Sequence, residues 1–406
     1  MKKMYILLFA LLSAAGARAQ WVPQDPNTPN SLNAVYFTDE NLGFAVGDSG
    51  TILRTTDGGY IWTKQNSGTI SRMRAVYFTS PSTGYATSED GSILKTSDGG
   101  TTWTHLISGT TKMLESVFFT SPDTGYVVGG GMTSSIILKT TNAGASWVQI
   151  PSGTNNILMS VYFIDANTGY AAGMAETILK TTNAGMSWSN SYSGSNQGGL
   201  NSVYFTDAST GYACGGYVNG PGVGGRILKT TNSGMSWSVI SSGTYSWLYS
   251  LHFPQPGTGY AAGAEGTIIK TTNGGSTWTR QSSGIFTLTA VYFPSVNIGY
   301  AVGGSYYPES TILYTNNGGY PLGESDHSPA SGTLSIFPNP ATSSITVETP
   351  SPATGISILD LSGRELLQKS IPGTQFTVDI TSLPSGLYLV KLTGCTSVEF
   401  GKFVKK

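Results

Sequence analysis

The chain has 406 residues, of which only 11% are charged, with 53 glycines and a formal net charge of −1. Average globular chains have about 25% charged residues and about 7% glycine, so this is the profile of a turn-rich β protein. So balanced a charge offers no field for nucleic acid or an anionic membrane surface, and 39% apolar with 11% aromatic residues excludes a disordered chain.

Lys2 and Lys3 precede an apolar run from Met4 to Ala15, and Ala17-Arg18-Ala19 supplies the small residues that signal peptidase needs. Residues 1–19 therefore read as a signal peptide cleaved before Gln20. The run is too short to span a bilayer, no cysteine follows it to accept a lipid, and no other segment reads as transmembrane. A monomeric protein outside the cell is expected. Cys214 and Cys395 fall in different domains and read as unpaired small core residues.

Internal repetition then takes over. The segment Ala34-Val35-Tyr36-Phe37 recurs at Phe78, Phe119, Phe163, Phe205, Phe253 and Phe293, with gaps of 41, 41, 44, 42, 48 and 40 residues. Each copy has four short β-like runs: Ala-Val-Tyr-Phe, Gly-Tyr-Ala-Ala-Gly, Thr-Ile-Leu-Lys-Thr-Thr and a run opened by Trp. One four-stranded sheet buries too little to stand alone, whereas seven packed radially bury both faces of each. The expected fold is all-β: a seven-bladed propeller over 20–322.

Closure has its own signal. Trp62, Trp103, Trp147, Trp188, Trp237 and Trp278 each precede the next repeat's Phe by 15 to 17 residues, and Trp21 precedes Phe37 by 16. The seventh repeat has Leu322 where its Trp should stand. The N-terminal strand is therefore expected to supply the missing outer strand of the seventh blade, beside Ile312 and Leu313, removing an open edge.

The spacing also separates two faces. The distance from each Phe to the next Gly-Tyr is always 6 residues, and from Leu or Ile of the third run to the Trp position always 9, while the stretch between them varies from 10 to 17. Insertions thus fall between strands two and three, on the same face as the links between blades. One face is built to a template and the other is varied.

The constant third turn reads Thr55-x-Asp57-x-Gly59 and Thr96-x-Asp98-x-Gly100, with Asn142, Asn183, Asn232, Asn273 and Asn317 replacing Asp later. A short side-chain oxygen can accept from backbone N–H groups across such a turn, glycine can take positive φ, and Trp can pack between blades. This resembles the Asp-box of bacterial neuraminidase-repeat propellers. With the Gly-Tyr-Ala-Ala-Gly and Ile-Leu-Lys-Thr-Thr strands, residues 21–322 resemble the photosystem II assembly-factor type of propeller. A group repeated seven times reads as structural. Arg54, Lys95, Lys139, Lys180, Lys229 and Lys270, at one strand position in six repeats, read as solvated rather than as a basic ring for an anion.

Residues that depart from the template are the candidates for binding: Tyr217, Asn219 and Arg226 in the fifth-blade insertion, Tyr306, Tyr307 and Glu309 in the seventh, and Arg72, Arg74, Lys112, Glu115, Tyr245 and Trp247 in the links. All are expected on the varied face, where aromatic rings with scattered polar neighbours suit a protein or glycan ligand. No catalytic residue, cofactor or metal is expected, since His105, His252 and His327 lack ligand spacing. The alternative is a secreted glycoside hydrolase of sialidase or xyloglucanase type. Against it, six arginines after the leader supply no evident triad, and Asp39, Asp123, Asp165 and Asp207 sit in the constant first turn.

Residues 323–332 read as an exposed linker and 333–406 as a small Ig-like β-sandwich of short alternating strands. Pro338-Asn339-Pro340, Leu361-Ser362-Gly363-Arg364, Gly386-Leu387-Tyr388 and the final Lys402-Phe403-Val404-Lys405-Lys406 resemble the C-terminal sorting domain of the type IX secretion system. The resemblance implies partnership with that machinery and its sortase-like peptidase, passage through the outer membrane, and surface attachment or release.

Overall fold

The computed structural model describes residues 21–131, 133–194, 198–219, 222–281, 286–304, 310–319, 335–360, 364–393 and 399–406. The signal peptide, Leu322, the linker, Cys395 and Leu361-Ser362-Gly363 lie outside them. The described residues are all-β, and none of them forms a helix long and apolar enough to cross a membrane. Two compact units divide the chain, Met1–Glu324 and Ser325–Lys406.

The first unit holds seven four-stranded antiparallel sheets among the described residues. Blade 1 is Leu32–Phe37, Gly43–Gly47, Thr51–Thr55 and Thr63–Gln65. The first strands of blades 2 to 7 are Met73–Phe78, Met113–Phe119, Leu158–Phe163, Gly198–Phe205, Leu248–Gln255 and Leu288–Tyr292. Each first strand contacts the next, and blade 7 contacts blade 1, so the cycle closes.

One aromatic unit repeats between blades. The second-strand ring of one blade stacks on the first-strand Phe of the next: Tyr300 on Phe37 at 3.9 Å between centroids, Phe44 on Phe78 at 4.0 Å and Tyr85 on Phe119 at 4.1 Å. The Trp that follows meets that Phe edge-on, as Trp62 meets Phe37 at 5.9 Å. Glycine stands opposite because the ring leaves no room: a Cβ on Gly43 would lie 2.3 Å from the Phe37 ring. Stacked and edge-on pairs add to the burial of large apolar area, which is what joins the sheets.

In blade 7 the edge-on partner of Phe293 is Trp21, at 5.7 Å. Val22–Gln24 pairs with Ser310–Thr315, placing Val22 opposite Tyr314, Pro23 opposite Leu313 and Gln24 opposite Ile312. Trp21 is 1% exposed in a core with Tyr260, Leu288 and Leu313. The N-terminal strand therefore closes the ring as the spacing of the tryptophans demands.

Insertion is absorbed by lengthening the hairpin between strands two and three. In blade 5 it becomes Gly211–Asn219 paired with Gly222–Thr230, in blade 3 Gly125–Gly131 paired with Ser134–Thr140. Cys214 is buried and unpaired in the blade 5 core, and burial pushes its thiol far up.

In the second unit Ser335–Phe337, Ser344–Leu359, Gly386–Thr393 and Glu399–Lys405 follow one another across a sheet, with Glu365–Asp379 also on Ser344–Leu359. The register of the two long strands breaks between Glu348 and Gly355. The two layers of the expected sandwich are thus one sheet folded over Ile345, Val347, Ile356, Ile358, Val390 and Phe403.

Candidate functional site

The axis of the ring is lined by first strands, and their sequence writes its layers. Tyr36, Tyr77, Phe118, Tyr162, Tyr204, His252 and Tyr292 form a collar in which each ring touches both neighbours, with centroids 4.6 to 5.4 Å apart. The hydroxyls donate to the next blade's Phe carbonyl, as in Tyr36 to Phe78 at 3.1 Å and Tyr292 to Phe37 at 3.0 Å. Burial raises these phenols, Tyr292 to about 12, so they stay neutral donors.

His252 departs from this pattern. Its Nδ1 has no hydrogen-bond partner, and burial lowers its pKa to about 4. With the folded pKa below the unfolded value of about 6.5, the unfolded chain binds the proton more readily. The contribution is whole above about pH 6.5 and is lost as pH falls towards 4. We expect His252→Tyr to raise the urea midpoint and to flatten the decline in stability between pH 6.5 and 4, read from unfolding curves at each pH; an unchanged slope would contradict this.

Above the collar lie Ala34, Ala75, Ser116, Ser160, Ser202, Ser250 and Ala290. The four serine oxygens accept the next blade's backbone N–H, for example Val161 to Ser116 at 3.2 Å and Val291 to Ser250 at 3.1 Å. Just before this layer every first strand slips register by one residue. The extra residues are Asn33, Arg74, Glu115, Met159, Asn201, Tyr249 and Thr289, and a bulge of this kind re-aims a side chain. Several reach the next blade: Asn33 donates to the Met73 carbonyl at 2.9 Å, Asn201 to Leu248 at 2.8 Å and Thr289 to Leu32 at 2.7 Å. They form the mouth of the axial funnel on the varied face.

On blades 1 to 3 this mouth carries a chain of ion pairs. Arg72 Nε lies 2.7 Å from Asp48 and 3.7 Å from Glu89; Arg74 lies 3.2 Å from Glu89 and 3.7 Å from Glu115. The Glu115 side chain is 8% exposed, and burial raises its pKa against the pull of Arg74. Two shallow grooves meet at Asp90 beside this network. One, of ≈ 560 Å³, is lined by Asp48, Ile70, Arg72 and Glu89; the other, of ≈ 620 Å³, by Ile107, Thr111 and Lys112. Ile70 and Ile107 are 90% and 89% exposed, which is unusual for large aliphatic side chains standing beside charges.

The candidates on blades 4 to 6 lie elsewhere on the same face and do not join that network. Arg226 pairs with Glu176 at 2.5 Å, a carboxylate with 0% exposure, and its guanidinium covers the Tyr217 ring at 4.7 Å. Tyr217 lies over Gly224 and Trp247 over Gly216, where a Cβ would meet the rings at 2.5 and 2.4 Å. Both rings stiffen the blade 5 hairpin, whose second strand ends at Asn219. Tyr245 is 86% exposed on the adjacent link. Tyr306, Tyr307 and Glu309 lie outside the described residues.

The template face is occupied by its own turns. Asp57 accepts from Thr55 Oγ1 at 2.7 Å and Ile61 N at 3.0 Å, while Gly59 N donates to Thr55 Oγ1 at 2.9 Å. Asp98 repeats this, and hydrogen bonds from Thr102 and Thr96 hold it down at about 2. Asn142, Asn183, Asn232 and Asn273 accept from the N–H four residues on, and Asn317 accepts from Thr315 Oγ1. In the first turn burial of Asp207 works against hydrogen bonds from Ser209 and Thr210, which hold it at about 2, the wrong direction for a general acid.

The basic strand positions correct the sequence reading, for they are not solvated. Lys95 Nζ donates to the Ala143 carbonyl at 2.8 Å, and the Tyr85 hydroxyl donates to the same oxygen at 2.9 Å, with Nζ over the Tyr85 ring. Lys139 and Tyr126 share Ala184, Lys180 and Tyr170 share Ser233, and Lys229 and Tyr212 share Gly274. Arg54 reaches Gly99 at 2.7 Å, and Lys270 is 3% exposed. Arg54, Lys95, Lys139, Lys180 and Lys229 thus clamp the third turn of the following blade, and Lys270 Nζ lies over the Tyr260 ring. The lysine stem is packed along apolar surface and its charge is met by a carbonyl and a π face.

In the second unit the residues resembling a sorting signal converge. Gly386 pairs with Lys405 and Tyr388 with Phe403, and the strand passes through Lys402 opposite Leu389. Asn339 Oδ1, between Pro338 and Pro340, accepts from Val404 N at 2.9 Å, and Lys406 N donates to the Ala341 carbonyl at 2.8 Å.

With this geometry described, comparison with known proteins gives two family matches. Residues 335–406 match the secretion system C-terminal sorting domain, and residues 67–155 match photosynthesis system II assembly factor YCF48. No curated protein matches the chain. Among solved structures, "YCF48 bound to D1 peptide" is 18% identical, covers 73% of this chain and 96% of its own, and superposes with TM-score 0.59. YCF48 from Cyanidioschyzon merolae is likewise 18% identical over 73% of this chain and 98% of its own, at 0.58. The extracellular domain of the one-component system BT4673 from B. thetaiotaomicron is 11% identical over 95% of this chain and 59% of its own, at 0.57. The chain thus has a seven-bladed propeller similar in fold to YCF48, followed by a unit that matches the secretion system C-terminal sorting domain.

Proposed function

We propose that this chain is exported by the type IX secretion system through residues 335–406 and that its propeller binds a protein partner at the funnel mouth of blades 1 to 3. The observation that carries the binding site is the Asp48–Arg72–Glu89–Arg74–Glu115 network standing between exposed Ile70 and Ile107. Exposed aliphatic side chains beside partly desolvated arginines are the composition of a protein-binding hot spot. The peptide held by the YCF48 structure named above supports a polypeptide over a glycan. Export places this face outside the cell, on the outer-membrane surface or in the medium.

A photo-crosslinking residue at position 70 or 107 of the full chain, displayed on its own cells, is expected to capture one defined polypeptide. The same residue at position 186 on the template face should not. For the captured partner, Arg74→Gln should weaken binding by about 10- to 100-fold, as loss of a central arginine does. Equal capture from both faces, or an unchanged Kd, would overturn the assignment. The glycosidase reading has one observation in its favour, the raised carboxyl of Glu115 with Glu89 across Arg74. Turnover of fluorogenic sugars that disappears in Glu115→Gln would establish it instead.

A further inference from the structure

The axis of the propeller is open space and not sealed core. The collar residues and the alanines and serines above them are all only part-buried, while the residues on either side of them in each first strand, such as Val35 and Phe37, are buried. Ring centroids spaced 4.6 to 5.4 Å apart around seven blades lie on a circle of radius about 6 Å, which leaves a bore one flat ring wide once contact distances are taken off. The small layer above widens the bore into a cup. Because Arg74 precedes Ala75 and Glu115 precedes Ser116, that cup opens directly at the charged mouth.

Nearly every polar group on this wall is already used. The hydroxyls of Tyr36, Tyr77, Tyr162, Tyr204 and Tyr292 donate outward to a Phe carbonyl of the next blade. The oxygens of Ser116, Ser160, Ser202 and Ser250 each accept a backbone N–H of the next blade. His252 is the exception, since its Nδ1 has no partner, whereas Phe118 at the same place in blade 3 has no polar atom to satisfy. A water held against one imidazole among aromatic rings would lack the further partners it needs. An unsatisfied nitrogen in an otherwise satisfied ring calls for a partner from outside.

We infer that the bore is a binding site for one phenol side chain, a tyrosine of the partner polypeptide, which enters from the mouth, packs its ring on the collar and hydrogen-bonds the His252 imidazole. The lining is aromatic and the free polar group lies a layer below the mouth, so the guest must be flat, apolar along its length and polar at its far end. Tyrosine has that form, while phenylalanine lacks the hydroxyl and tryptophan has its N–H at the side. The imidazole is neutral above about pH 4, so neither group takes a charge into the bore. The inference rests on the protein-partner reading given above.

The probes are N-acetyltyrosinamide and N-acetylphenylalaninamide, titrated into the full chain at neutral pH and followed by NMR of the histidine side chains and of the probes. The His252 signals, assigned by their loss in His252→Phe, should shift with the tyrosine amide, and it should bind about 5- to 10-fold tighter than the phenylalanine amide, the value of one net hydrogen bond. His252→Phe, a ring that this collar already accepts at Phe118, should erase the preference while both probes still bind. Ala290→Phe, which fills the cup from blade 7 and leaves the Asp48–Glu115 network untouched, should abolish binding of both. If Ala290→Phe melts without a transition, Ala290→Leu takes its place, for which weaker binding is still expected.

Unmoved His252 signals, equal affinity for the two amides, or binding indifferent to Ala290→Phe would each overturn the inference. For a partner captured at position 70 or 107, Ala290→Phe should raise Kd at least about tenfold, as loss of a central aromatic anchor does. Capture with an unchanged Kd would leave the mouth site standing and remove the tyrosine from the bore. Binding of the tyrosine amide with no capture at either position would overturn the protein-partner reading, and with it the source of the tyrosine.

Discussion

Trp21→Ala is expected to destabilise the propeller by about 3 to 5 kcal/mol, the usual cost of emptying a tryptophan-sized site in a packed core. The site is occupied on all sides: Trp21 meets Phe293 edge-on at 5.7 Å and Tyr260 at 6.4 Å, and Leu288 and Leu313 complete its core. The loss has a second component that the interior tryptophans lack. Without its anchor, Val22–Gln24 exposes the outer edge of Ser310–Thr315, which presents unpaired backbone groups to other chains. Trp103→Ala, removing the same ring from between blades 1 and 2, should therefore lower the urea midpoint comparably without adding any concentration-dependent association. Trp21→Ala should also give association that rises with concentration, read by light scattering. A Trp21→Ala protein as stable as the parent would show that the ring is sealed by something else.

Arg226→Met is expected to cost about 3 to 5 kcal/mol, because it removes the guanidinium from a carboxylate that water does not reach. Glu176 is fully buried in the hairpin turn of blade 4, and its φ of 52° fixes the backbone there. The pair therefore joins blade 4 to the third strand of blade 5. Replacing both, with Glu176→Leu added to Arg226→Met, should restore much of the loss, since two apolar side chains need no counter-charge. Chemical unfolding of the three variants checks this. If the double variant is no more stable than Arg226→Met, the pairing is not what matters at this site.

These two cases mark what a single sequence does and does not disclose. The ring and its closure were legible because they rest on periodic tryptophans and phenylalanines, and the place of Trp21 follows from counting. The varied face was legible from loop lengths. The role of Arg226 was not, because Glu176 is 50 residues away and meets it only once blades 4 and 5 are packed. The lysines were misread for a related reason: alternation places Lys95 and its equivalents outward from their own sheet, but the third turn of the following blade covers that side. The mouth itself carries a signal that the repeat alignment holds, the residue four before each Phe. Asn33, Arg74, Glu115, Met159, Asn201, Tyr249 and Thr289 vary where their neighbours do not. In the C-terminal unit the motifs were visible one by one, while their meeting through Asn339 and Val404 belongs to the fold.

The assignment of faces, and with it the location of every candidate residue, depends on the N-terminal strand lying on the last blade. Val22 stands directly opposite Tyr314, within the reach of a disulfide across an antiparallel pair. Val22→Cys with Tyr314→Cys, oxidised in the folded full chain, should form an intramolecular cross-link, detected by peptide mass after proteolysis, and should raise the unfolding temperature. Free thiols at both positions under oxidising conditions, or a cross-link only between chains, would contradict the closed seven-bladed ring.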